Sequence, residues 1–334
     1  MIETVLGPIA AADLGRTSMH EHLVIDARYL RAPAREPDPE TDRVCIENLG
    51  YLRWNLLALD DNLVLDDDEL AAAELSRAVG CGQGALVDLT SWGLGPQPER
   101  LPAISKAAGM HIIAGVGVYL DRPHPGWVAE VDDDALAARF VDAIVDGLEG
   151  TGFRAGITGV VGTSEPITPG EERVLRAAGA ASGTTGAPIT VRLDSSARRG
   201  DDVLAWLGEA GCPPGNVIFG NVDEYAEVDY LCELADAGAT LEWCFGNEAY
   251  YRDGYKDPTD ADRLTALMEV LARGHSERCV MGCSVWTKTQ LRSYGGMGYD
   301  HLMRRIVPEL SRRGVPDAVI DELLVANPAR LLDH

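Results

Sequence analysis

The sequence predicts an α/β protein of the closed (β/α)8, or TIM-barrel, class. Three observations carry that expectation. Eight short runs rich in β-branched and apolar residues recur along the 334 residues, and most are followed by an amphipathic helical stretch. Alternation of this number in one chain favours a closed barrel over a doubly wound sheet. No internal repeat or low-complexity linker interrupts the rhythm, so residues 1–334 read as one domain with an N-terminal insertion at about 27–68.

Taken in order, a short apolar stretch with turn residues at 1–15 leads into the first strand around His20. Mixed charge, Pro33, Pro37 and Pro39, and the apolar segment 51–59 mark the insertion, which carries some helix and lies over one end of the fold. From about Glu69 the repeating units begin. Strands are expected at 85–89, 111–119, 156–161, 188–193, 216–222, 239–243 and 278–283. Helices are expected at 99–108, 134–148, from 169 towards 181, and at 202–210, 226–237 and 260–273, with closing helices near 299–313 and 317–324. The clearest start is Thr168-Pro169-Gly170-Glu171, with a threonine cap, proline at the first helical position and an acid at the third.

Composition narrows the function classes. A hydrophobic content of 46% with 25% charged residues is that of a soluble globular protein. The 53 acidic and 29 basic residues leave a net charge of −24, which disfavours nucleic acid or an anionic membrane as partner. Lysine occurs only at Lys106, Lys256 and Lys288, and with abundant alanine and glycine this suggests a high-GC bacterial source. The 7 cysteines include no C-x-x-C pair and read as free thiols in a reducing compartment. With no leader-like opening and no apolar run of spanning length, a cytoplasmic location is expected.

Chemistry enters at Met19-His20-Glu21-His22-Leu23. Residues two apart on a strand share a face, so His20 and His22 project together while Glu21 points away. That is how a barrel presents two neutral metal ligands, and the rest of the chain must supply the others.

Several phrases together resemble the phosphotriesterase family of the amidohydrolase superfamily. They are Val5-Leu6-Gly7-Pro8-Ile9, the His20 strand, Val87-Asp88-Leu89-Thr90, residues 115–119, Gly162-Thr163-Ser164, residues 166–169 and 172–177, residues 291–296, and Asn327-Pro328. The resemblance spans nearly the whole chain. It implies a barrel whose relatives hold two divalent metals and attack esters, lactones or phosphoesters with a bridging hydroxide. Position by position, His20 and His22 keep the family's first-strand pair. The bridging carboxylate of strand four falls at Val160, the histidine ending strand five at Arg192, the histidine of strand six at Asn221, and the aspartate of strand eight at Ser284. His111 and His275 lie at or before strand starts, His334 is terminal, and His124 and His301 lie in a loop and a helix. No metal or other cofactor is therefore expected. The alternative is one zinc or other divalent ion on His20, His22 and a carboxylate such as Asp223 or Glu242.

The remaining candidates follow from the strand ends. His20, His22, Arg192, Ser284 and Tyr119 are the expected catalytic residues, with Asn221, Asp223, Glu242, Trp286 and Arg292 around the substrate. Arg192 either fixes an anion bidentately or forms an internal pair with Glu242 or Asp223. Strands one and eight are neighbours, so Ser284 is within expected reach of His20 or His22, either as nucleophile beside its base or as a hydroxyl satisfying an imidazole. Either histidine can instead serve as general acid and base. Cys283 is expected to point into the core, and Cys244 to be a buried inert thiol.

The expected activity is metal-independent acid/base chemistry, whether elimination, cyclisation, isomerisation or hydrolysis, on a small anionic or carbonyl-bearing substrate in bacterial specialised metabolism. The alternatives are a metal-dependent hydrolase with a remodelled mononuclear site and a non-catalytic ligand-binding protein. A homodimer is expected from the resemblance alone.

Overall fold

The computed structural model describes residues 1–251 and 255–334. Eight parallel strands follow one another around a barrel: β1 (Arg16–Glu21), β2 (Gln83–Asp88), β3 (His111–Val116), β4 (Ile157–Gly162), β5 (Ile189–Arg192), β6 (Val217–Gly220), β7 (Thr240–Cys244) and β8 (Cys279–Gly282). Between them stand α1 (Asp68–Val79), α2 (Leu101–Ala108), α3 (Asp133–Val145), α4 (Pro169–Thr185), α5 (Gly200–Glu209), α6 (Val228–Asp236) and α7 (Asp260–Ala272). Several strands stop short of the apolar runs that announce them. The third ends at Val116 and the sixth at Gly220, because the chain leaves the sheet there to build the loops at the C-terminal face.

Apolar residues bury the sheet. Leu86, Ile112, Ile157, Ile189, Phe219, Trp243 and Met281 are all buried, each contributing roughly 1.5–3 kcal/mol by leaving water. Capping fixes where helices begin. Asp67 accepts from Leu70 N–H at 2.9 Å ahead of α1. At α4, Glu171 N–H donates to Thr168 Oγ1 and Thr168 N–H to Glu171 Oε2, both at 3.1 Å. Caps of this kind are worth about 1 kcal/mol.

The barrel closes between β8 and β1. Ser284 N–H donates to His20 O at 2.8 Å, and His22 N–H to Val285 O at 3.2 Å. Glu21 reinforces the seam from the face opposite its histidine neighbours: it accepts from Ser18 Oγ at 2.6 Å, Cys283 N–H at 3.1 Å and Val285 N–H at 3.0 Å. Glycine is required at 282, where a Cβ would stand 2.9 Å from His20 N.

The segment 27–67 crosses the C-terminal face. It is framed by a short antiparallel pair, Ile25–Asp26 with Val64–Leu65, and includes the helix Leu49–Trp54. Lys288 Nζ to Asp61 Oδ1 at 2.6 Å and Thr289 N–H to Asn62 Oδ1 at 2.9 Å clamp it to the loop after β8. The closing helices differ from plain expectation, since Leu302–Ile306 and Glu322–Ala326 are π-helical. Asn327 Nδ2 donates to the carbonyls of Ser276 and Cys279, each at 2.8 Å, and pins the base of β8. No helix among the described residues is long and apolar enough to cross a membrane.

Candidate active site

A cavity of about 250 Å³ opens at the C-terminal ends of the strands. Ile25, Ala27, Leu30, Leu57, Leu94 and Leu120 make an apolar wall, and the polar side holds His20, His22, Arg192, Asn221, Glu224 and Asp257. His20 on β1 and His22, one residue past its end, lie side by side with ring centroids 5.2 Å apart. Their Nδ1 atoms have different partners. His20 Nδ1 meets Glu242 Oε1 at 2.6 Å, and His22 Nδ1 meets Thr90 Oγ1 at 3.1 Å. Neither Nε2 has a hydrogen-bond partner among the described residues.

The partners set opposite proton affinities. Burial works against an imidazolium at His20, but the Glu242 carboxylate outweighs it, and the His20 pKa is raised. Burial, with the charge of His20 beside it, holds His22 well below the ordinary imidazole value. Glu242, expected to face substrate, instead stands behind His20, fully buried, with Oε2 unpartnered among the described residues.

Arg192 ends β5 and lines the cavity as expected. Its internal partner is neither Glu242 nor Asp223, because Nη2 donates to Glu224 Oε2 at 2.5 Å. Glu224 follows β6 in a 3-10 turn and escaped the sequence reading, since strand periodicity says nothing of turn residues. Asp223 is committed elsewhere. It accepts from Cys244 N–H and from Arg263 Nε, both at 2.8 Å, and burial outweighs Arg263 to push its carboxyl up to about 6. Arg263 also bonds Asp260 Oδ1 at 2.9 Å and Asn247 O at 2.7 Å.

Ser284 reaches the cavity, but no hydrogen bond joins its hydroxyl to His20 or His22 among the described residues, so the expected serine–histidine pair is not formed. Its backbone is left-handed at φ 47°, as is Asn221 at φ 53°, which turns both residues off their strand lines. Asn221 Oδ1 lacks a partner among the described residues. Tyr119 lines the cavity within electrostatic reach of Arg192, and burial raises its pKa. Trp286 stacks on Tyr251 at 6.5 Å between centroids.

Arg292 does not reach the cavity. The 3-10 turn Arg292–Tyr294 swings it onto Asp300, where Nη1 bonds Oδ2 at 2.8 Å. Cys283, expected in the core, is buried and also touches the cavity rim. The Cys244 thiol donates to Glu242 Oε1 at 3.3 Å, and burial with that carboxylate pushes its pKa well up. Asp257, also missed in the sequence, is 3% exposed and accepts from Asn247 Nδ2 at 2.7 Å through Oδ2. Its Oδ1 has no partner among the described residues.

Do these donors fit the family's metals? Val160 is apolar, Arg192 is a cation paired with Glu224, and Asn221 and Ser284 are weak donors, so the dinuclear set does not fit. His20, Glu242 and Cys244 bring ligand atoms within 4.8 Å of one another. Within this trio Glu242 Oε1 already accepts from both neighbours and the thiol resists ionisation, while Glu242 Oε2 is left without a partner among the described residues.

Eight parallel strands with a polar cavity at their C-terminal ends, holding a histidine pair at the end of the first, define a (β/α)8 barrel with its site in the usual place for that fold. The chain belongs to the phosphotriesterase family, whose model matches residues 1–332. It is 33% identical to a phosphotriesterase-related protein of Nematostella vectensis, over 98% of this chain and 97% of that protein. It is 32% identical to an N-acetyltaurine hydrolase of Tetraodon nigroviridis, over 99% and 97% respectively. Among solved structures, a resiniferatoxin-binding protein from Rhodobacter sphaeroides superposes with a TM-score of 0.96 at 33% identity, covering 99% of this chain and 94% of that one.

Proposed function

We propose that this chain is a hydrolase that acts on a small carbonyl-bearing molecule by metal-independent acid/base catalysis. The observation supporting it is the asymmetric histidine pair, with one imidazole backed by a carboxylate and its neighbour by a hydroxyl. Two titratable groups whose surroundings push their proton affinities apart divide the roles of acid and base between them. His20, held as imidazolium by Glu242, presents Nε2–H to the cavity as the acid. His22, with Nδ1–H given to Thr90, presents a free Nε2 lone pair as the base.

In hydrolysis, His22 Nε2 takes a proton from water as the water oxygen bonds the substrate carbonyl carbon and the carbonyl π pair moves onto its oxygen. That pair then re-forms the double bond as the bond to the leaving heteroatom breaks and His20 Nε2–H protonates it. The same pair would serve elimination or isomerisation by moving a carbon-bound proton. Hydrolysis is preferred because relatives covering nearly the whole chain include an N-acetyltaurine hydrolase.

The test is turnover of a panel of esters, lactones and N-acyl amines by chelator-treated protein of known metal content. Activity should survive metal removal, and His20→Ala and His22→Ala should each lower kcat/KM by roughly 100-fold or more. Activity that tracks one bound metal equivalent and vanishes with it would refute the proposal. A second reading, ligand binding without turnover, draws on the similarity to the resiniferatoxin-binding protein. Ligand binding with no conversion of any panel member would select it.

A further inference from the structure

The cavity's charges bear on what it can hold. Two guanidinium groups line it, and both are neutralised within the protein: Arg192 by Glu224, and Arg263 by Asp223 and Asp260. The imidazolium at His20 has Glu242 behind it. Against those two guanidinium groups stand four lining carboxyl groups, Asp194, Asp223, Glu224 and Asp257. An incoming anion therefore meets no uncommitted cation and would have to displace Glu224 from Arg192, leaving a buried carboxylate unpaired. An incoming donor meets the opposite situation, because Asp257 lines the cavity and its buried Oδ1 has no partner among the described residues. The apolar wall opposite accepts a carbon skeleton.

We infer that the cavity selects a substrate carrying an ammonium group, seated on Asp257, and discriminates against anions. The inference rests on this cavity being the active site, and it replaces the expectation that Arg192 anchors an anion. It carries a proton signature as well. Asp257 faces Glu224, Asp223, Arg192, Arg263 and Tyr251, and burial with the charge of Glu224 pushes its carboxyl up to about 8. An ammonium bound there favours the carboxylate, so binding near pH 7 should release a proton.

A matched series tests this by calorimetry at pH 7.5. N-acetylethylenediamine, N-acetylethanolamine and N-acetyltaurine share an acetamide and a two-carbon chain, and end in a cation, a neutral hydroxyl and an anion. The cation should bind at least about tenfold more tightly than the anion, the equivalent of one charge-assisted hydrogen bond. Its apparent enthalpy should vary with the ionisation enthalpy of the buffer. Asp257→Asn should lower affinity for the cation about tenfold and leave the neutral compound within about twofold. Glu224→Gln, which releases Arg192, should improve N-acetyltaurine binding. Equal binding or no measurable binding of all three, preference for the anion, or an Asp257→Asn variant that keeps full affinity for the cation would each overturn the inference. Binding is read without turnover, so His22→Ala separates the two proposals. If that variant keeps the charge preference while wild-type activity proves metal-dependent, only the proposed mechanism fails, whereas metal-free turnover without charge preference sinks only this inference.

Discussion

Replacing Asp257 by asparagine should stabilise the protein, and the gain should grow with pH. The folded carboxyl titrates near 8 against an ordinary 3.8, so at neutral pH the folded state keeps a proton that the unfolded chain has released. The sign follows from linkage. A carboxyl raised on folding makes no difference below about pH 4, and the stability it removes increases as pH rises until the folded group ionises near 8. At pH 7.5 the penalty reaches at most roughly 5 kcal/mol, at about 1.4 kcal/mol per pH unit above the unfolded value. Asparagine keeps an oxygen to accept from Asn247 and carries no charge in either state. A chain of this length unfolds with an entropy near 0.7 kcal/mol/K, so the full effect is a Tm rise of up to about 7 °C. Between pH 5.5 and 7.5 the advantage of the variant should grow by up to about 3 kcal/mol, or about 4 °C. Differential scanning calorimetry of both proteins across that range is the assay. An advantage that does not change with pH, or a variant less stable at pH 7.5, would refute the placement of Asp257 as a buried carboxyl with one oxygen left without a partner among the described residues.

Two further outcomes follow from the seam and the histidine pair. Glu21→Ala leaves the buried amides of Cys283 and Val285 without their acceptor, which should cost about 2–5 kcal/mol and accelerate hydrogen exchange at those two amides in particular. Uniform loss of protection instead would show that Glu21 is not specific to barrel closure. Glu242→Gln removes the charge that holds the proton on His20, so the alkaline limb of the pH–rate profile should move to lower pH and kcat/KM should fall roughly 100-fold. An NMR titration in which the His20 resonances do not shift in the same direction would disconnect Glu242 from that role.

How much of this was legible in the sequence depended on whether a residue sits on a strand or beyond one. His20 and Arg192 lie on strands and His22 one residue past β1, still held to Val285 across the seam, so period two decides which way these side chains point, and they arrive in the cavity as that period requires. The outward turn of Glu21 was equally readable, but its two hydrogen bonds across the seam depend on the register of β8, which a pattern within one strand does not contain. Beyond the strand ends the rule lapses. Glu224 and Asp257 come from turns whose direction is set by tertiary contacts, and Ser284, on a left-handed backbone, reaches the cavity without bonding an imidazole among the described residues. Arg292 fails for the same reason, because a short turn separates it from β8 and carries it to Asp300. Counting forward from a strand located the loop but not its aim.

The crossing segment over the barrel mouth has a consequence for how such a protein can change. Ile25, Ala27, Leu30 and Leu57 shape one side of the cavity, yet the segment is fastened to the rest through side chains such as Asp61 and Asn62 rather than through the barrel ladder. The histidines proposed to move protons sit at the end of the first strand, where the closed sheet fixes the geometry. Substitutions in the segment can therefore remodel the cavity's contour while the reactive groups keep their positions. Selectivity for a carbon skeleton and competence for the reaction are held in separate, independently exchangeable parts of one chain.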